Sequence, residues 1–275
     1  MKVSLSGILF EQGTIEESVK AAGEAGYHGI ELRTNERHLP PSTTPEKSRY
    51  WRRIIQGYGM EVSCLASFMG RYNQKDDSEC AADLEEFKRF AELAHELDCR
   101  LVRLLVGGPP SAQATEADWA RPLAWLKKTE ELAASLDVEA VIEIHNWDMV
   151  DAVEPSLKVA QEVGGKHLGF IYEPANMYIV GNEYRAQAVE ALGDHILHVH
   201  VKDVVLLPSE KPPFRIMPLG QGEMDYLSVF RGLHHILYNG HVCVELAHGA
   251  HLTMDGQNLA RRELQAVRSL IELTL

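Results

Sequence analysis

The segment from Ile196 to Asp203 places two histidines and a lysine at alternate positions, with aliphatic residues between them. Successive side chains of an extended strand point to opposite faces. Ile196, His198, His200 and Lys202 therefore share one face, and Leu197, Val199 and Val201 the other. The aliphatic face packs. The other offers imidazoles and an ammonium, which a metal or anion site inside a barrel requires and a surface strand does not. Three glutamates stand in comparable places: Glu143 near the end of an apolar run at 140–145, Glu173 ending one at 168–173, and Glu245 near the end of one at 242–246. Successive gaps along Glu143, Glu173, His200 and Glu245 are 30, 27 and 45 residues, each close to one strand-helix unit or one unit with a long loop. Side chains so spaced can converge on one point. Three carboxylates and an imidazole form an oxygen-rich donor set, suited to Mn²⁺, Mg²⁺, Co²⁺ or Zn²⁺ rather than to copper or an iron–sulfur cluster. Without a cation, that much like charge in one place is strongly unfavourable.

The elements that must position these residues are legible as alternating patterns. Apolar, β-rich runs fall at 2–6, 29–33, 62–67, 101–106, 140–145, 168–173, 196–201 and 242–246. Helical patterns lie between them, among them 16–25, 82–97, 119–136, 155–163, 226–238 and 259–273. Gly26 and Tyr27 can end the first helix, and Asp225 can cap the helix after the seventh strand. No linker or low-complexity block divides the 275 residues. Eight βα units predict one (β/α)8 barrel spanning residues 1–275, in an α/β fold of the TIM-barrel type whose chemistry sits at the C-terminal ends of the strands. A doubly wound open sheet is the competing architecture, but no glycine-rich phosphate loop follows the first strand.

Composition narrows the function classes. With 45% hydrophobic and 24% charged residues, the chain is an ordinary well-cored globular sequence. A formal net charge of -13, with no local run of Lys and Arg, argues against nucleic acid as a partner. No apolar stretch of about 18 residues or more and no cleavage-like N-terminal signal is present, so the expectation is a cytoplasmic protein that does not engage a membrane. Cys64, Cys80, Cys99 and Cys243 lack the spacing of a zinc ribbon or a disulfide scaffold and are expected as free thiols.

Six segments together carry a family resemblance: 26–33 (GYHGIELR), 142–146 (IEIHN), 173–177 (EPANM), 198–203 (HVHVKD), 218–225 (PLGQGEMD) and 244–246 (VEL). In this order they resemble the xylose isomerase-like TIM-barrel superfamily, the sugar phosphate isomerase/epimerase group, over most of the chain. The resemblance implies one divalent metal, manganese foremost, on Glu143, Glu173, His200 and Glu245. It implies Glu143 and Glu245 as the catalytic carboxylates, one removing the proton beside the carbonyl of a keto-sugar or polyol ketone and the other returning it on the opposite face. An enediolate formed in this way leads to isomerisation or epimerisation. If a β substituent leaves instead, the outcome is a lyase or dehydratase on a keto-inositol, dehydroshikimate-like or 3-keto-glycoside substrate. Family members are often dimers or tetramers, which implies a homo-oligomer. The family usually has Asp where Glu173 stands, so the extra methylene requires a shift of backbone or coordination geometry. Asn176, a substrate-binding candidate, matches the family's AspProXAsn branch, where ketose 3-epimerases carry a substrate-binding His, and Arg215 falls where the resemblance places a substrate-binding Arg.

Further candidates surround this set. His145 shares the face of Glu143 and is a substrate-binding or acid/base candidate; Lys202 points with His200, toward a substrate oxygen or toward Glu173 or Glu245. Asp203, on the opposite face, is expected to orient a neighbour or cap a loop. Glu31, Arg33 and Arg103 are expected to form an internal ion pair among themselves. Trp147, Phe68 and Met69 can wall the mouth, and His248 and His251 can line it. Two readings of other classes are an endonuclease IV-type nuclease, disfavoured by the charge and by the lack of further His and Asp ligands, and a non-catalytic sugar-binding subunit.

Overall fold

The computed structural model describes residues 1–247, 252 and 254–275. Its strands are β1 (Lys2–Ser6), β2 (Gly29–Arg33), β3 (Glu61–Ala66), β4 (Leu101–Leu104), β5 (Glu139–Glu143), β6 (Leu168–Tyr172), β7 (Ile196–Val201), β8 (Asp203–Leu206), β9 (Phe214–Met217) and β10 (His241–Val244). Eight of them close a parallel barrel in the order β1-β10-β7-β6-β5-β4-β3-β2, while β8 and β9 form a separate antiparallel hairpin. The helices are α1 (Ile15–Ala25), α2 (Pro45–Gly57), α3 (Asp77–Glu96), α4 (Glu116–Ser135), α5 (Val153–Val163), α6 (Pro174–Ile179), α7 (Ala186–Leu192), α8 (Tyr226–His235) and α9 (Gly256–Leu273). The fold is therefore a single (β/α)8 TIM barrel, as the spacing predicts.

Local chemistry explains the boundaries. Thr14 and Glu17 form a reciprocal capping box at the start of α1, and Gly26 ends that helix in the left-handed region at φ 89°. Asp76 with Glu79 does the same for α3, and Asp225 accepts from the Ser228 N–H to cap α8, as its sequence position predicts. The strands are buried on both faces because helices cover the outside and side chains fill the inside. The outer core takes Ile30, Leu104, Ile142, Phe170, Val199 and Val201, whereas Cys64, Val141 and Ile171 form a small separate cluster, joined by Leu101 and Leu197, inside the barrel.

One detail corrects the simple alternation along β7. Phe170 pairs with Ile196 but Ile171 pairs with His198, so Leu197 is an extra residue in the ladder. Ile196 consequently packs in the outer core and Leu197 in the inner cluster, the reverse of strict period-two placement. Beyond this bulge His198 and His200 resume the inward face. The hairpin β8–β9 and helices α2, α6 and α7 lie outside the patterns picked out from sequence.

Candidate metal centre and active site

Four strands deliver the four ligand candidates. Glu143 is the last residue of β5, Glu173 follows β6 directly, His200 lies in β7, and Glu245 follows β10. Each offers one donor atom within 4.8 Å of the others, and all four are buried. His200 Nδ1 stands 3.5 Å from Glu173 Oε2 and 3.7 Å from Glu245 Oε2. Glu173 caps the start of α6, its Oε1 accepting from the Ala175 N–H at 3.1 Å, which leaves Oε2 facing the cluster. The longer side chain at this position thus reaches both the helix start and the common point.

Cations hold the two end carboxylates. The Arg103 guanidinium donates to Glu143 Oε2 at 2.7 Å, and its Nε donates to the Ser67 carbonyl at 3.0 Å. Asn176 Nδ2 donates to the other Glu143 oxygen at 3.2 Å and to the Ile144 carbonyl at 3.3 Å. Lys202 Nζ sits 2.5 Å from Glu245 Oε2 and 3.1 Å from Glu173 Oε2. Its backbone is clamped by Tyr226, whose hydroxyl donates to the Lys202 carbonyl at 2.6 Å and accepts from the Lys202 N–H at 2.9 Å.

A second tier lies beneath. Glu31 Oε2 meets His200 Nε2 at 2.9 Å and His198 Nε2 at 3.4 Å, while Glu31 Oε1 accepts from the Ser6 hydroxyl at 2.8 Å. The expected ion pair among Glu31, Arg33 and Arg103 is not what forms: Arg33 goes to Glu11 at 2.8 Å, Arg103 goes to Glu143, and Glu31 takes the histidines. The physical reason is height along the barrel, since Glu31 lies level with the imidazoles of β7 whereas Arg33 ends its strand at the mouth.

These contacts set the charge states. Burial pushes the Glu143 carboxyl up, but Arg103 overrides it and holds the group below its usual range. Burial likewise opposes ionisation of Glu245, yet Lys202 and His200 bring it down to about 2. Burial works against a charged His200, but Glu31 and Glu245 raise its pKa well above the ordinary value. The Lys202 ammonium is held charged by Glu173 and Glu245 despite its burial. His198 moves the other way because burial dominates, so it stays neutral.

Four buried carboxyl groups, Glu31, Glu143, Glu173 and Glu245, outnumber the two fixed cations, Arg103 and Lys202, and that surplus of acidic groups is what favours a proton on His200 in the absence of an ion. The donor set fits a divalent ion: acidic groups outnumber the fixed cations, and two buried donors facing the cluster, His200 Nδ1 and Glu173 Oε2, have no well-aligned hydrogen bond. When bound, such an ion would act as a Lewis acid that polarises a substrate carbonyl.

The remaining candidates fall around this core. His145 is half-buried just past β5, with Nδ1 3.0 Å from the Asn146 carbonyl and close enough to Glu143 to lower its pKa. Arg215 lies on β9, pairs with Glu210 at 3.0 Å and is not brought to the cluster. Phe68 and Trp147 are each 47% exposed at the mouth side, while Met69 is buried. The Arg33 and Arg103 guanidinium carbons lie 4.7 and 5.3 Å from the Phe68 ring centroid. Asp203 accepts backbone N–H bonds from Gly220, Gly222 and Met224, stapling the segment that follows β9. His248 and His251 lie outside the described residues. Among the described residues, no helix is long and apolar enough to cross a membrane.

The chain is 24% identical over 240 residues to a putative L-ribulose-5-phosphate 3-epimerase of Escherichia coli, covering 84% of this chain and 82% of that protein. It is 23% identical over 257 residues to an inosose dehydratase of Geobacillus kaustophilus, with 84% of this chain and 80% of that protein covered. Among solved structures, the IOLI protein with a bound zinc atom superposes with a TM-score of 0.84 at 16% identity, over 100% of this chain and 99% of that one. The pattern of the xylose isomerase-like TIM barrel matches residues 19–270, and with the closed parallel barrel in place the chain belongs to that family.

Proposed function

We propose that this protein is a divalent-metal-dependent isomerase or epimerase that abstracts a proton beside the carbonyl of a keto-sugar or polyol ketone. The observation that carries the reading is the convergence of one donor atom each from Glu143, Glu173, His200 and Glu245 within 4.8 Å, all four buried. Glu143 and Glu245, both ionised, are the bases: each is a carboxylate at the end of its strand, and they approach the reacting carbon from different sides of the barrel. Arg103 and Asn176 orient Glu143. His145 and Lys202 are the substrate-oxygen partners, and Arg215, next to the Phe214 whose ring centroid lies 6.0 Å from that of Trp147, serves the substrate at the rim rather than at the cluster. The similarity to 3-epimerases supports isomerase chemistry, and the zinc-bound structure of the same fold supports a divalent metal.

The similarity to an inosose dehydratase favours a second reading, in which the enediolate expels a β substituent. Incubation of the metal-loaded protein with keto-sugars and keto-inositols in deuterium oxide separates the two. Deuterium at the carbon next to the carbonyl without loss of water identifies the isomerase, and a dehydrated product identifies the lyase. Glu245→Gln and Glu143→Gln should each slow either outcome by about two orders of magnitude or more. Absence of exchange and elimination across both substrate sets, together with no retained divalent ion in elemental analysis, rejects the proposal.

A further inference from the structure

We infer that Lys202 is the built-in counter-cation of the metal centre: its ammonium holds the carboxylate oxygens that a divalent ion would take, so the ion enters by displacing it. The inference rests on the metal-dependent reading above and extends it to what governs metal affinity. Lys202 Nζ lies 2.5 Å from Glu245 Oε2 and 3.1 Å from Glu173 Oε2. These are the same two oxygens that face His200 Nδ1, at 3.7 and 3.5 Å. An ion bound by His200, Glu173 and Glu245 must therefore share both oxygens with an ammonium already seated on them. Two cations on the same pair of oxygens in a site of low polarisability repel strongly.

The chain shows which part can yield. The Lys202 backbone is fixed on both sides by Tyr226, so its N–H and C=O cannot follow a displaced side chain. The four-carbon stem is free to rotate, and Lys202 is 7% exposed where Glu173 and His200 are 0% exposed, so the ammonium lies on the side nearer solvent. In the metal-free protein the lysine neutralises carboxylates that would otherwise repel one another within the barrel. Once the ion supplies that charge, the ammonium is released toward the mouth.

Titration of metal-stripped wild type, Lys202→Met and Lys202→Gln with Mn²⁺ or Zn²⁺ alone tests this by calorimetry. Both variants should bind the ion about tenfold more tightly or better than wild type. Their metal-free forms should also unfold at a lower temperature than metal-free wild type, and saturation with the ion should erase most of that difference. Ion binding by wild type with equal or weaker binding by both variants would overturn the inference and leave the metal-dependent reading intact. Absence of binding by all three proteins would overturn that reading, and the inference with it. Using two replacements separates a lost ammonium from a packing defect of either one.

Discussion

At the scale of single residues, one carboxylate stands behind the ligand candidates rather than among them. Glu31 Oε2 accepts from His200 Nε2 at 2.9 Å, which leaves Nδ1 turned toward Glu173 and Glu245. A buried acceptor behind a ligating imidazole fixes its tautomer and raises its basicity. Glu31→Gln keeps the shape and the Ser6 contact but removes the charge, and it should weaken divalent-ion binding about 10- to 100-fold, read by calorimetry. Unchanged affinity would mean that His200 is oriented by strand geometry alone. Sequence reasoning picked out Glu143, Glu173, His200 and Glu245 because each sits at or near a strand end at barrel spacing. Glu31 was legible only as a charged residue inside an apolar strand. Its partner lies 169 residues away, and no local pattern encodes that pairing.

At the scale of elements, the strands and capped helices were legible because period-two and helical patterns, with cap residues at their ends, are properties of short windows. The bulge at Leu197 was not, because it arises from how β7 registers against β6. Nor was the close approach of the chain at Gly70, where an isolated parallel bridge joins Gly70 to Leu105 past the ends of β3 and β4. Gly70 adopts φ 96°, and a Cβ there would lie 1.9 Å from the Leu105 carbonyl oxygen. Gly70→Ala combines a disfavoured backbone conformation with a backbone clash, and should cost about 3 kcal/mol or more. The check is the urea unfolding midpoint. A variant as stable as wild type would show that this crossing relaxes without loss. The segment just before it carries Phe68 and the Ser67 carbonyl that Arg103 binds, so the same substitution should also loosen the Glu143 side of the site.

At the scale of the whole molecule, the barrel separates its functions along its axis. The C-terminal end gathers the carboxylates and cations of the site, while the opposite end is closed by Lys2, Glu61 and His241. There, burial pulls the His241 pKa down to about 4, even though Glu61 Oε1 stands 2.6 Å away and pulls it up. Glu61 is about half exposed, so water screens it and burial prevails. Because the folded protein prefers the neutral ring, this group contributes stability above the unfolded pKa near 6.5, and that contribution is lost as pH falls toward 4. Wild type should therefore lose about 2 kcal/mol between pH 6.5 and 4 that His241→Gln does not lose, measured as the difference between their denaturant stability curves. Parallel curves for the two proteins would contradict the assignment.

By itself the sequence determined the alternation of eight strands with helices, the burial of both strand faces, and the residue types that end β5, β6, β7 and β10 near one another. These follow from patterns within ten or twenty residues and from the rule that such units close into a barrel. Only the tertiary structure decided who pairs with whom: Arg103 with Glu143, Lys202 with Glu173 and Glu245, and Glu31 with His200. Those choices depend on the height of each side chain along the barrel axis. That height is set by inter-strand register and its bulges, which arise when the sheet closes.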